Sequence, residues 1–252
     1  MTPWVASFEQ LTKVLQARGY AHRTSALKAI SRPCVRIEAR RAKESRIPIG
    51  ASKLGGRPDV PPTFTWPGLR SRRPLSFIAQ IDLRELAGEY EPPRLPTSGK
   101  LLFFCDPLSG GARGRLKSWV IHLPNRGSRL RRLPGPEDAA GTPSTDILEP
   151  CKVTFRRALS FPPLPPFPCS EGEAEWYMEQ LSVRPNAGSH QMFGIPGTLQ
   201  PTRDERHCLL LQVDSDPELN LRWGDQGRLF FWITKPALEK AGFEKAWATI
   251  QE

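Results

Sequence analysis

Phe77-Ile78-Ala79-Gln80-Ile81-Asp82 and Leu209-Leu210-Leu211-Gln212-Val213-Asp214 are two short apolar runs that carry Gln and Asp at the same places. A second run follows each: Gly99-Lys100-Leu101-Leu102-Phe103-Phe104 after the first and Gly227-Arg228-Leu229-Phe230-Phe231-Trp232 after the second. A turn with Gly and Pro precedes each, at Gly56-Arg57-Pro58 and Gly194-Ile195-Pro196. Short apolar runs bounded by turn residues read as strands. Three matched elements in the same order predict an internal repeat. The two related β-units would pack on a shared core, because neither strand pair can bury its apolar face alone. Gln and Asp alternate along each first run and so share a face. The glutamines are expected to be hydrogen-bonded within the core rather than catalytic, since an amide is a poor proton-transfer group.

Working outward, Trp119–Leu123 and Lys152–Leu159 read as further strands, and Ala246–Ile250 as one that closes the sheet. A helical turn is expected around Leu83–Leu86. Residues 3–20 read as an amphipathic helix: Val5, Phe8, Leu11, Val14 and Leu15 fall on one face, with Pro3 near its start and Gly19 beyond its end. Glu173–Leu181 reads as a short helix, and Thr234 with Pro236 marks another helix start. Arg40–Arg46 is a solvated charged stretch, read as a surface strand or turn rather than a specific anion site, and residues 124–148, rich in Pro, Gly, Arg and Asp, form an exposed excursion. Phe161–Pro168 is a polyproline segment, read as a stiff connector between halves, with a ligand for an SH3-like module as the alternative. The fold class is therefore α+β and sheet-dominated, with an N-terminal helix and a few short helices. Residues 1–44 form the helix and lead-in, 45–160 a first, basic β-unit, and 161–252 a second, acidic one, both halves belonging to one globular domain.

The 252 residues are 38% hydrophobic and 25% charged, a composition that supports a sizeable core rather than disorder. No apolar run approaches the roughly 18 residues of a membrane span. Met1-Thr2-Pro3-Trp4 opens no basic and apolar leader, so a cytoplasmic protein is expected. Residues 1–160 carry 28 Lys and Arg against 13 Asp and Glu, and residues 161–252 carry 8 against 13, within a net charge of +10. A basic first part suits phosphates or an acidic protein. Cys34, Cys105, Cys151, Cys169 and Cys208 are scattered, which argues for free thiols and against a disulfide framework or a zinc site. Gly55-Gly56 lacks the context of a phosphate loop, and neither a HExxH helix nor a Gly-x-Ser-x-Gly elbow occurs. No cofactor, metal or catalytic set is expected.

Two groups of residues remain as candidates. Gln212, Asp214 and Asp216 project to one side of an extended strand, and with Asp225 and His190 they suit a metal or acid–base site. The competing reading makes Asp214-Ser215-Asp216-Pro217 a turn in which Asp caps backbone amides. Arg70, Arg72, Arg73, Arg129, Arg131 and Arg132 are candidate anion contacts, with Trp66 or Phe64 to stack on bases.

Ser52-Lys53-Leu54-Gly55-Gly56-Arg57-Pro58, the Trp66-Pro67 turn, Pro74–Asp82 and Leu101–Phe104 resemble bacterial YwqG-like proteins. His190-Gln191 with Gly194, Leu210–Asp216, Trp223-Gly224-Asp225 and Gly227–Ile233 continue the resemblance, which covers roughly residues 45–252. That family is similar to a domain of eukaryotic programmed cell death protein 2 and its ribosome-biogenesis relatives, which act as chaperones for a ribosomal protein. The resemblance implies an α+β, sheet-dominated fold and no established activity. The zinc finger of some relatives has no counterpart in this sequence. The expected function is a non-enzymatic protein-binding module, chaperone-like or an immunity-type partner, with its groove between the repeated units. Lys53, Trp66, His190 and Trp223 would line it, with Asp214 and Asp225 as further contacts. The alternative is an RNA-associated accessory protein using the basic first part. An enzyme, the third reading, requires His190 to converge with Asp214, Asp216 or Asp225 in a pocket.

Overall fold

A computed structural model describes residues 5–68, 74–86, 95–109, 114–125, 127, 129–137, 148–182, 189–198 and 206–251. In chain order its elements are α1 (Phe8–Ala17), α2 (Thr24–Ile30), β1 (Arg32–Arg41), β2 (Lys53–Leu54), β3 (Asp59–Val60), β4 (Ser76–Asp82), α3 (Leu83–Leu86), β5 (Lys100–Cys105), β6 (Ser118–Leu123), β7 (Arg131–Arg132), β8 (Cys151–Ser160), α4 (Glu171–Gln180), β9 (Gln191–Met192), β10 (His207–Asp214), β11 (Arg228–Thr234), α5 (Lys235–Glu239) and β12 (Trp247–Gln251).

Ten strands form one antiparallel sheet in the order β12-β11-β10-β9-β1-β8-β2-β4-β5-β6. The two outermost strands come back together. Leu116 N–H donates to Ala248 O at 2.9 Å, and Ala248 N–H donates to Ser118 Oγ at 3.0 Å. The sheet is thus a nearly closed barrel, and β12 closes it at the place where the sequence expects closure. β3 and β7 form a separate two-stranded sheet.

The barrel interior is filled by alternate residues. Val35 and Ile37 of β1, Ala79 and Ile81 of β4, Leu101 and Phe103 of β5, and Leu229, Phe231 and Ile233 of β11 are all buried there. The rings of Phe103 and Phe231 meet edge-on at 5.1 Å. Burying each such ring is worth roughly 2–3 kcal/mol, so the interior is the main source of cohesion. The ladder β4–β5 shifts register between Phe77 and Ala79, and β10–β11 shifts between Leu209 and Leu211. Ile78 and Leu210 are the extra residues, and a bulge of this kind sharpens strand twist and helps a sheet curl. Outside the barrel wall, Phe77, Leu102 and Phe104 pack under Val60 and Trp66. Leu209, Phe230 and Trp232 pack with Trp247.

The N-terminal helix is shorter than its pattern suggests. Ser7 Oγ caps it by accepting from Gln10 N–H at 3.2 Å. Leu11 and Leu15 are buried against Leu27, Leu159, Phe161, Trp176 and Tyr177, but Phe8, counted on the apolar face, is 44% exposed. Pro3 lies outside the described residues. The excursion expected over 124–148 contains β7, which pairs with β3. The five cysteines are free thiols. Among the described residues no helix is long and apolar enough to cross a membrane.

Candidate functional site

Three polar groupings lie on the outer side of the barrel wall. The first is centred on β2. Lys53 points outward, and its Nζ donates to Asp59 Oδ2 at 3.0 Å and Glu44 Oε1 at 3.2 Å. Asp59 also accepts from Gly50 N–H at 2.9 Å and Arg132 Nε at 2.9 Å. Arg132 spans to the carbonyls of Glu44 and Ile47. Gln80 completes the set, accepting from Asp59 N–H at 2.8 Å and donating to Ala51 O at 2.8 Å. Lys53 and Asp59 are fully buried. Burial opposes the charge on Asp59, but Arg132, the Gly50 amide and Lys53 outweigh it and hold its carboxyl below the usual range. Each member is used to fasten segment 43–60 to the wall.

The second grouping has the same plan with other residues. Gln212 Oε1 accepts from Gly197 N–H at 2.9 Å, and its Nε2 donates to Ser189 O at 3.3 Å and to Asp214 Oδ1 at 2.8 Å. Asp214 N–H donates to His190 Nδ1 at 3.1 Å, as Asp82 N–H donates to Ser52 Oγ at 2.8 Å. Arg228 Nε stands 3.4 Å from Asp214 Oδ2, and Arg228 also donates to Gly197 O. Because His190 Nδ1 is an acceptor, its ring proton sits on Nε2, which faces Asp216 Oδ2 at 3.5 Å. Asp216 Oδ1 caps the turn by accepting from Glu218 and Leu219 N–H. His190, Asp214 and Asp216 therefore do converge, while Asp225 is exposed in the turn after Trp223. His190 and Asp214 are buried, and burial raises the Asp214 pKa against the pull of Arg228 and His190.

The third grouping opens to solvent. A cleft of about 630 Å³ is lined by Pro48, Ile49, Gly50, Lys100, Arg84 and Leu130, among others. At its floor Asp82 accepts from Lys100 Nζ at 2.8 Å and from Arg84 Nη2 at 2.7 Å. Burial works against ionisation of Asp82, yet the two cations bring its pKa down to about 2.

The remaining candidates are dispersed. Trp66 is buried and donates Nε1–H to Leu75 O at 2.8 Å, and Trp223 is buried in the barrel interior. Arg70, Arg72 and Arg73 lie outside the described residues. Arg131 is exposed beside Arg132. A basic patch grows around that position. Arg40, Lys43, Arg46, Arg57, Arg131 and Lys152 are exposed, and none forms an ion pair with a described residue. Glu44 links two segments of the patch: its Oε2 accepts from the Arg57 backbone N–H at 3.1 Å, and its carbonyl accepts from Arg132, the neighbour of Arg131. Arg40 faces Lys152 directly across the β1–β8 ladder, and Lys152 faces Lys53 on its other side. Opposed like charges destabilise a sheet. The sequence signal for this patch is the run Arg40–Arg46, whose partners on β7 and β8 are brought to it only by folding.

Among the described residues no group of three or more His, Cys, Asp and Glu is placed to hold a metal ion. No curated protein matches the chain. The profile of a family described as "Domain of unknown function (DUF1963)" matches residues 52–251, opening at Ser52, whose hydroxyl receives the Asp82 amide. That span takes in nine of the ten barrel strands, all but β1, and the chain belongs to the DUF1963 family.

Proposed function

We propose that this protein is a non-enzymatic binding module whose partner is a protein with an acidic surface, in a chaperone-like or immunity-type role. The observation that carries the reading is the exposed set of Arg40, Lys43, Arg46, Arg57, Arg131 and Lys152, none of which pairs with a described carboxylate and which flanks the Lys53–Asp59–Glu44–Arg132 network. Opposing Arg40 to Lys152 costs stability in the free chain, and an anionic surface offsets that cost on binding. The groups suited to catalysis are engaged internally: His190 between the Asp214 amide and Asp216, and Asp59 between Lys53 and Arg132. Of the two candidates for base stacking, Trp66 is buried and Phe64 is half-buried with its ring stacked on Phe104, which favours carboxylates over single-stranded nucleic acid as the patch's ligand.

The proposal extends to architecture and kinship. The barrel is read as two copies of one β-unit, supported by the paired bulges at Ile78 and Leu210 and the paired bonds of Gln80 and Gln212. Residues 45–160 and 161–252 are these halves within one domain, acting in the cytoplasm. The kinship is with YwqG-like proteins and, through them, with the domain of programmed cell death protein 2.

Affinity purification of the tagged chain from its own cells, with and without nuclease, tests the function. A stoichiometric protein that survives nuclease and is lost with Arg40→Glu/Lys152→Glu supports it. Ribosomal or RNA-linked proteins that vanish with nuclease transfer the patch to nucleic acid, and a partner indifferent to the charge reversal removes the patch from the account.

A further inference from the structure

The cleft beside β4 is separate from the basic patch and has a chemistry of its own. Its floor is built of donors. Asp82 is buried and saturated: Oδ1 accepts from the Arg84 amide at 3.1 Å and from Arg84 Nε at 3.1 Å, and Oδ2 accepts from Arg84 Nη2 and Lys100 Nζ. It therefore holds two cations in place and keeps no lone pair for a ligand. Lys100 uses one of its three N–H donors on Asp82, and Arg84 has its Nη1 edge left over. Among the described residues the other carboxylate on the lining is Glu85, which accepts from Ser52 N–H at 3.2 Å through Oε1. A side chain at position 50 would press on Lys100, since a Cβ there would stand 3.1 Å from Lys100 Cε; glycine, at φ +85°, leaves the ammonium its place.

The upper wall is apolar. Pro48, Pro61, Leu123, Pro124 and Leu130 line it, and Ile49 stands at the lip, 52% exposed. A volume of about 630 Å³ falls within the range of small-molecule sites, which combine apolar walls with a few fixed polar groups. The corresponding place in the other half of the barrel is occupied from within: Arg228 is buried and reaches the Gly197 carbonyl beside Asp214. Lys100 is buried to a similar degree but is shorter and bonds Asp82, and the cleft opens beside it.

We propose that this cleft binds a small organic acid, its carboxylate on Arg84 and Lys100 and its apolar body against Ile49, Leu123 and Leu130. An acceptor-only head matches the donor-rich floor, and the Pro and Leu wall excludes a fully hydrated anion. The site is independent of the protein-binding reading and stands or falls without it.

The test is titration of the full chain with 3-phenylpropionate, followed by calorimetry and ligand-observed NMR, with 3-phenylpropanamide as the neutral control. The acid is expected to bind, the amide to bind at least tenfold more weakly, and Arg84→Gln, an exposed substitution, to weaken the acid about tenfold, the worth of one charge-assisted hydrogen bond. Arg40→Glu/Lys152→Glu, in the basic patch, is expected to leave acid binding unchanged. Equal binding of acid and amide, an acid affinity untouched by Arg84→Gln, loss of binding in the patch variant, or no binding at millimolar concentration each overturns the proposal.

Discussion

Asp82 and Asp214 occupy matching places in their strands, and their pKa values are displaced in opposite directions from the ordinary one. The Asp82 carboxyl lies at about 2 in the folded chain against an ordinary 3.8. A folded value below the unfolded one stabilises the protein above the unfolded pKa, and the contribution is lost as pH falls from about 4 to about 2. It is worth about 2 kcal/mol. Urea denaturation across that window is expected to show wild-type stability falling with pH and a shallower fall in Asp82→Asn. Asp214, raised by burial, works the other way, since protonation on acidification favours its folded state. Gly55 makes a second residue-level case. Its φ is +62°, and a Cβ there would sit 2.3 Å from the Glu149 carbonyl oxygen, a backbone atom that cannot swing aside. Gly55→Ala is expected to cost about 3 kcal/mol, read as a drop in Tm.

At the scale of elements, much was legible. β4, β5, β10 and β11 are apolar runs between turn residues, and they form where that pattern puts them. The helical turn at Leu83–Leu86 and the closing strand β12 were legible for the same reason. β1 was not among the expected strands, although Val35, Ile37 and Ala39 alternate along it. Its ladder partners lie more than a hundred residues away, and such pairing leaves no local mark. The role of Glu44 was hidden too, because one carboxylate in a charged stretch gives no sign that it will meet Lys53 and Arg132. The cleft joins residues from six separated stretches between Pro48 and Leu130 and had no signature. Two outcomes follow. Lys53→Met, which removes two charge-assisted bonds and leaves Arg132 as the cation shared by Asp59 and Glu44, is expected to cost about 2 kcal/mol in chemical denaturation and to loosen segment 43–60. Ser118→Ala removes one of the two bonds that close the barrel and is expected to cost about 1 kcal/mol, with faster hydrogen exchange at the Ala248 amide.

For the whole molecule, the sheet order keeps the strands of residues 45–160 and those of residues 161–252 on separate sides, with one strand between them. β1, from the first 44 residues, lies between β8 and β9 and carries the ladder that joins the two sides of the barrel. A fragment of residues 161–252 keeps β9 to β12 but lacks the strand that covers β9. It is expected to give an unfolded circular-dichroism spectrum alone and to regain strand signal when residues 1–160 are added. The placement of β1 also sets a timetable. Arg32 must find Ser160, and until it does both edges of β1 are bare. Contacts so distant along the chain slow folding, because the entropy of closing a long loop is spent before any bond rewards it. The protein is thus built to assemble late and all at once, and during that wait its own unpaired strands are the surfaces most exposed to aggregation.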